Sequence, residues 1–126
     1  MKPKEGDTFL YRYPYENRHL MLIVSKVISQ SNVTQCVCTM VSSWKDNSPY
    51  CDPACILNKG DHPFIEHRSY IAYSETTMFR EDMLINLIEH GEAIPQEPLS
   101  EELLVRIKAS AERSKRLPFI MRQFFK

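Results

Sequence analysis

Seven polar residues that could take part in acid–base or phosphate chemistry lie in three stretches of the chain. They are Arg18, His19, Ser42, Ser43, His62, His67 and Arg68. Histidine exchanges protons near neutral pH, and arginine holds negative charge. Together such residues could cleave RNA without a metal. A base deprotonates the ribose 2′-hydroxyl, an acid protonates the leaving oxygen, and a cation stabilises the phosphorane. A single loop histidine is most often structural, so none of the seven is diagnostic alone.

The elements that must position these residues are mostly short strands. Runs rich in aromatic and β-branched residues predict strands over 8–13, 20–28 and 33–41. The polar link over 30–32 predicts that the second and third strands form a hairpin. Further extended segments are predicted at 54–57, 64–65 and 69–73.

A helical period replaces the strand period after Phe79. The apolar spacing over 80–90 predicts a helix, and a capping serine, Ser100, followed by two glutamates predicts a second helix start. The proline-containing segment 94–99 between them is interpreted as a linker. A short final helix is expected over 119–125.

These elements predict one α+β domain over 1–126, with a β-barrel at 5–79 and a helical extension at 80–126. The 126 residues suit one core, and several short strands linked by turns favour a small barrel over a βαβ sheet. The chain has only three glycines and no glycine-rich phosphate loop, which argues against nucleotide-fuelled chemistry.

Charge is unevenly distributed along the chain. Residues 1–100 carry 9 Lys/Arg and 13 Asp/Glu, a net charge of −4, whereas residues 101–126 carry 7 and 3, a net charge of +4. The basic end is either a solvated helix face or a contact for nucleic acid or an acidic protein.

Four cysteines leave two interpretations open. Cys36, Cys38, Cys51 and Cys55 have the ligand count of a zinc site, although their spacing is not that of the usual zinc knuckle. Buried thiols in the core are the simpler account.

The N-terminus lacks the apolar stretch of a signal peptide, and the longest apolar run, 20–24, is far shorter than a membrane span. A cytoplasmic location without membrane contact is therefore expected.

Several segments resemble the MazF/PemK family of bacterial toxins, as a divergent PemK-like branch. The resemblance covers about residues 5–79. It is carried by Gly6-Asp7 before an aromatic strand, by RHLMLIVS at 18–25, by CVCTMVS at 36–42, by LNKGDHPFI at 57–65 and by Ser69-Tyr70.

The resemblance implies an SH3-like antiparallel barrel that is usually dimeric and cleaves single-stranded RNA without a metal or cofactor. It also implies an antitoxin protein as partner. The family arginine that opens the second strand corresponds to His19, with Arg18 one place earlier, and the family hydroxyl that ends the third strand corresponds to Ser42. Leu20 and Met40 replace the family prolines. Either the site is reorganised around Arg18 and His19, or activity is lost.

The hypothesis is therefore an endoribonuclease toxin with Arg18, His19 and Ser42 as catalytic residues. Five further residues are expected to bind substrate: Tyr15, Trp44, His62, His67 and Arg68. His62 and His67 are also candidates for a missing acid or base. The alternative is a non-catalytic SH3-like module that binds RNA or a protein, and a zinc-bound domain is a third interpretation.

Overall fold

A computed structural model describes residues 2–126 of the chain. Seven strands form one antiparallel sheet with the order β4-β5-β3-β2-β1-β7, and β6 pairs with β3 off this path. The strands are β1 (Thr8–Tyr11), β2 (His19–Ile28), β3 (Thr34–Ser43), β4 (Ile56–Leu57), β5 (Ser69–Ile71), β6 (Thr77–Arg80) and β7 (Ile94–Gln96). The predicted α+β class is confirmed. Within residues 2–126 the strand ladders do not close into a barrel.

The hairpin of β2 and β3 is the centre of the sheet, as the sequence predicts. The two strands pair from Met21 opposite Met40 to Ile28 opposite Thr34, with a bulge between Ile23 and Ser25. The edge of β3 that faces away from β2 pairs with two further strands. Its first half pairs with β6, and its end, residues 41–43, pairs with β5.

Both faces of the central hairpin are buried. Along β2, Leu20 and Leu22 face one core and Met21 and Ile23 face the other, because successive side chains of a strand point to opposite faces. Helix α1 (Glu81–Glu89) contributes Leu84 to the second core.

The first core is covered by the C-terminal segments. These are helix α2 (Glu101–Ser110) and two 3₁₀ segments, Ala111–Arg113 and Phe119–Phe125; another 3₁₀ turn, Tyr73–Glu75, precedes β6. The predicted cap is confirmed, since the Ser100 hydroxyl accepts from the Leu103 N–H. None of the helices in residues 2–126 has the length and apolarity needed to cross a membrane.

The predicted linker over 94–99 is wrong in its first half. Residues Ile94–Gln96 form β7, which pairs with β1 and places Pro95 opposite Phe9. Proline lacks a backbone N–H and is tolerated here because β7 is an edge strand. The sheet therefore includes part of the chain assigned to the helical extension.

Four other predicted strand segments are shorter or absent. β5 ends at Ile71 instead of residue 73. β1 ends at Tyr11 instead of residue 13, and Ala54 precedes β4 because Asp52 Oδ1 accepts its N–H in a turn. Ile65 likewise turns back, and its N–H donates to the His62 carbonyl.

Much of the basic excess of residues 101–126 fastens the C-terminal segments to the chain. The guanidinium groups of Arg106, Arg113 and Arg116 donate to the backbone carbonyls of Ile56, Ala54 and Pro49. Arg122 donates to the Ser114 carbonyl. Arg106, Arg113 and Arg116 thereby brace residues 49–56 against α2 and the segments after it.

Replacing Ser114 by alanine is expected to lower the free energy of unfolding by about 2 kcal/mol, because a buried carboxylate loses a hydrogen-bond donor. The Ser114 hydroxyl donates to Asp52 Oδ2 at 2.6 Å, and both side chains are buried. Urea denaturation measures the change. The exposed Ser74→Ala is the control. Equal stability of the two variants would contradict this account of the brace.

Candidate active site

A cleft of about 620 Å³ lies where β2 begins and β3 ends. The antiparallel hairpin brings these two strand ends together, and the loop 63–67 forms a further wall. Five of the seven polar residues singled out in the sequence line this cleft: Arg18, His19, Ser42, Ser43 and His67. They come from three separate parts of the chain, so their convergence is a property of the fold.

His19 sits at the first position of β2, between a carbonyl and an aromatic ring. Its Nδ1 lies 3.4 Å from the Val41 carbonyl oxygen. A carbonyl only accepts, so this contact places the ring proton on Nδ1 and leaves Nε2 as a proton acceptor. The Tyr15 ring meets the imidazole edge-on, with centroids 4.9 Å apart. Arg18, which precedes His19 in the chain, is exposed.

Tyr15 is itself outside the cleft lining and acts on it through His19. Burial, together with the nearby Glu75 carboxylate, raises the pKa of Tyr15 to about 12. The side chain is thus a neutral phenol near pH 7. It can orient His19 or stack, and it cannot serve as a base there.

The second histidine of the cleft is held by a serine. His67 Nε2 lies 2.7 Å from the Ser43 hydroxyl oxygen. Ser42 and Ser43 point to opposite faces of β3, since they are neighbours in a strand. Ser42 pairs with Tyr70 of β5. Burial raises the pKa of Tyr70, and the Ser42 hydroxyl acts in the opposite direction.

His62 is not brought to the cleft. It is 4% exposed, its Nδ1 accepts from the Phe64 N–H, and its Nε2 lies 2.6 Å from the Glu97 carbonyl oxygen. Both ring nitrogens are therefore occupied by backbone groups. The side chain is closed to a ligand in this structure. Its visible role is to hold the start of the loop that carries His67 against the segment after β7.

Trp44 and Arg68 lie just beyond the cleft, stacked on each other. The Arg68 guanidinium lies 4.9 Å from the centroid of the Trp44 ring, and Tyr70 meets that ring edge-on at 5.8 Å. The Trp44 N–H donates to Asp46. The group is a cation–π surface adjoining the end of β3.

Other cleft residues are not among the sequence-predicted site residues. They include Asn17, Lys45, Glu66, Ser69 and Gln96. Lys45 follows Trp44 in a loop and is the second cation in the cleft lining, in addition to Arg18. Gln96 could not be found because its strand was interpreted as a linker. Ser43 is one of the seven polar residues singled out in the sequence. Its hydrogen bond to His67 could not be predicted, because the two residues are 24 positions apart in the chain.

The four cysteines do not form one site. Cys36 and Cys38 lie in the core beneath α1, Cys55 lies in the core beneath α2, and Cys51 lies near the surface. Burial raises the pKa of both Cys36 and Cys38, which disfavours the thiolate that metals bind. Among residues 2–126, no group of three or more His, Cys, Asp or Glu side chains could hold a metal ion.

The cleft can therefore carry out proton transfer and hold a negative charge. Two imidazoles, three serine hydroxyls and two cations border it, with one carboxylate, Glu66. Arginine and lysine suit a phosphodiester, and the imidazoles suit transfer of its protons. No protein-family model, curated protein or solved structure matches the chain.

Proposed function

We propose that the chain is a metal-independent endoribonuclease that cleaves single-stranded RNA, as a MazF/PemK-like toxin of a toxin–antitoxin pair. The observation that supports the proposal most is the convergence of Arg18, His19, Ser42 and His67 on one cleft. Three of these, Arg18, His19 and Ser42, are the residues for which the resemblance implies catalytic roles.

In the proposed reaction, the ribose 2′-oxygen attacks the adjacent phosphorus and the bond from phosphorus to the 5′-oxygen breaks. His19 Nε2 takes the 2′-hydroxyl proton, and His67 is the second group for proton transfer, returning a proton to the leaving oxygen. Arg18 stabilises the charge of the phosphorane, and Ser42 donates a hydrogen bond to the phosphate. The products are a 2′,3′-cyclic phosphate and a 5′-hydroxyl end.

The proposal includes how the RNA is held. Trp44 with Arg68 on one side of the cleft, and Tyr15 beside His19 on the other, are the surfaces on which flanking bases stack. It also includes a homodimer and an antitoxin partner, both implied by the resemblance, and the cytoplasmic location that the sequence itself leads us to expect. Under this proposal, the sheet corresponds to the family's SH3-like barrel, although its strand ladders do not close within residues 2–126.

Expression in bacteria tests the toxin proposal. The wild-type chain should arrest growth, whereas Arg18→Ala and His19→Ala should relieve the arrest while the protein accumulates in folded form. Growth arrest that persists in both variants would contradict the assignment.

A non-catalytic RNA- or protein-binding module is the second candidate. It is favoured by Leu20 and Met40 in place of the family prolines and by the Trp44–Arg68 surface, which could bind a base without chemistry. Fluorescence anisotropy with labelled single-stranded RNA, read beside a cleavage gel, distinguishes the two. Binding that leaves the RNA intact would identify the module.

A further inference from the structure

A second, apolar groove lies between α2 and the 3₁₀ segment Phe119–Phe125. Its volume is about 1190 Å³. This exceeds the upper end of the usual range for small-molecule sites, about 1,000 Å³. It shares no lining residue with the cleft. Its apolar lining consists of Val105, Ala109, Ala111, Leu117, Phe119, Ile120 and Phe125.

Several of these side chains are exposed to an unusual degree. Phe119 is 89% exposed, Ile120 69% and Val105 65%. Isolated exposed apolar residues are ordinary, but a contiguous set around one groove is typical of an interaction surface. Because the groove runs beside a helix and can take several side chains, it suits a peptide segment better than a single small molecule.

The charges at the rim indicate what kind of segment fits. Lys108, Arg122 and Lys126 line the groove, with Glu112 as the only acidic residue in the lining. Lys108 is paired with Glu5, whereas Arg122 donates to a neutral carbonyl and forms no salt bridge within residues 2–126. A second copy of the same groove would bring like charges together, which opposes self-pairing.

We propose that this groove binds an acidic amphipathic helix of a partner protein. Apolar side chains at helical spacing would fill the groove over Phe119 and Ile120, and carboxylates on the flanks of the helix would meet Arg122 and Lys126. The groove shares no lining residue with the RNA cleft, and the proposal does not depend on cleavage activity.

A pair of synthetic peptides tests this proposal on the full chain. Each has about four helical turns with leucine at positions i, i+3, i+4 and i+7, and the remaining positions are mainly glutamate in one peptide and lysine in the other. Fluorescence anisotropy should detect binding of the glutamate peptide, weakening with salt, and little binding of the lysine peptide.

Two isoleucines of nearly equal exposure provide a matched pair of variants. Ile120→Ala should weaken binding of the glutamate peptide about tenfold, whereas Ile28→Ala, at 70% exposure on β2 and outside the groove, should leave it unchanged. Circular dichroism checks the fold of both. Failure of the glutamate peptide to bind, equal binding of the lysine peptide, or equal effects of the two variants would overturn the proposal. So would a dimer of the free chain that Ile120→Ala dissociates, because a second copy would then be the occupant.

Discussion

Replacing Arg18 or His19 by alanine is expected to lower the rate constant of RNA cleavage by about 100- to 1,000-fold. Arg18 supplies the positive charge that the phosphorane needs, and His19 Nε2 is the acceptor left free by the contact of Nδ1 with the Val41 carbonyl. Neither side chain is in the hydrophobic core, so both variants should keep the stability of the wild type. Single-turnover cleavage of a labelled oligonucleotide measures the rate, and urea denaturation measures stability.

Arg80→Ala is the matched control for Arg18→Ala. Arg80 is an exposed arginine on β6, and it pairs with Asp82 and with the start of β3, whereas the cleft lies at the other end of that strand. Loss of one positive charge far from the cleft should leave the rate within about twofold. A similar loss of activity in both variants would mean that Arg18 acts only through net charge.

His67→Ala is expected to lower the cleavage rate by about 100-fold, because the reaction loses its second proton-transfer group. Ser43 holds the imidazole through a 2.7 Å contact, so Ser43→Ala should give a smaller loss, about tenfold, by freeing the ring to rotate. The roles of the two histidines are distinguished by the cleavage rate of a substrate in which the leaving 5′-oxygen belongs to a good leaving group. Such a substrate does not need the acid, and it should restore much of the activity of His67→Ala and little of that of His19→Ala.

His90→Ala separates a specific effect from loss of any histidine. His90 is exposed at the end of α1 and lies outside the cleft. Its replacement should leave the rate unchanged. Wild-type activity in His67→Ala would remove His67 from the reaction and leave His19 as the only imidazole in it.

The central hairpin could be predicted because its sequence is locally consistent. Consecutive apolar side chains in β2, with Val24, Val27 and Ile28 β-branched, favour a strand that is buried on both faces. The N-cap of α2 was equally local, because Ser100 and the backbone it caps are three residues apart. The cleft could be predicted in part, since three catalytic candidates follow from the positions of strand ends in the resemblance.

The rest depended on contacts between distant parts of the chain. The burial of His62 depends on the carbonyl of Glu97, 35 residues later. The partnership of Ser43 and His67 depends on the pairing of β3 with β5. β7 carries a proline, and only its place at the sheet edge makes it a strand. From the sequence, the basic charge of residues 101–126 is either a solvated helix face or a partner contact, whereas in the structure several of its arginines donate to backbone carbonyls of the chain itself.

The most direct test of the account is the chemistry of the RNA ends that the purified chain produces in the presence of EDTA. The account predicts that the wild type cleaves single-stranded RNA under these conditions and leaves 2′,3′-cyclic phosphate and 5′-hydroxyl ends, identified by mass spectrometry. It predicts no fragments from the variant that carries both Arg18→Ala and His19→Ala. RNA that stays intact with the wild type, activity that EDTA removes, or equal cleavage by the double variant would contradict the proposed role of the cleft.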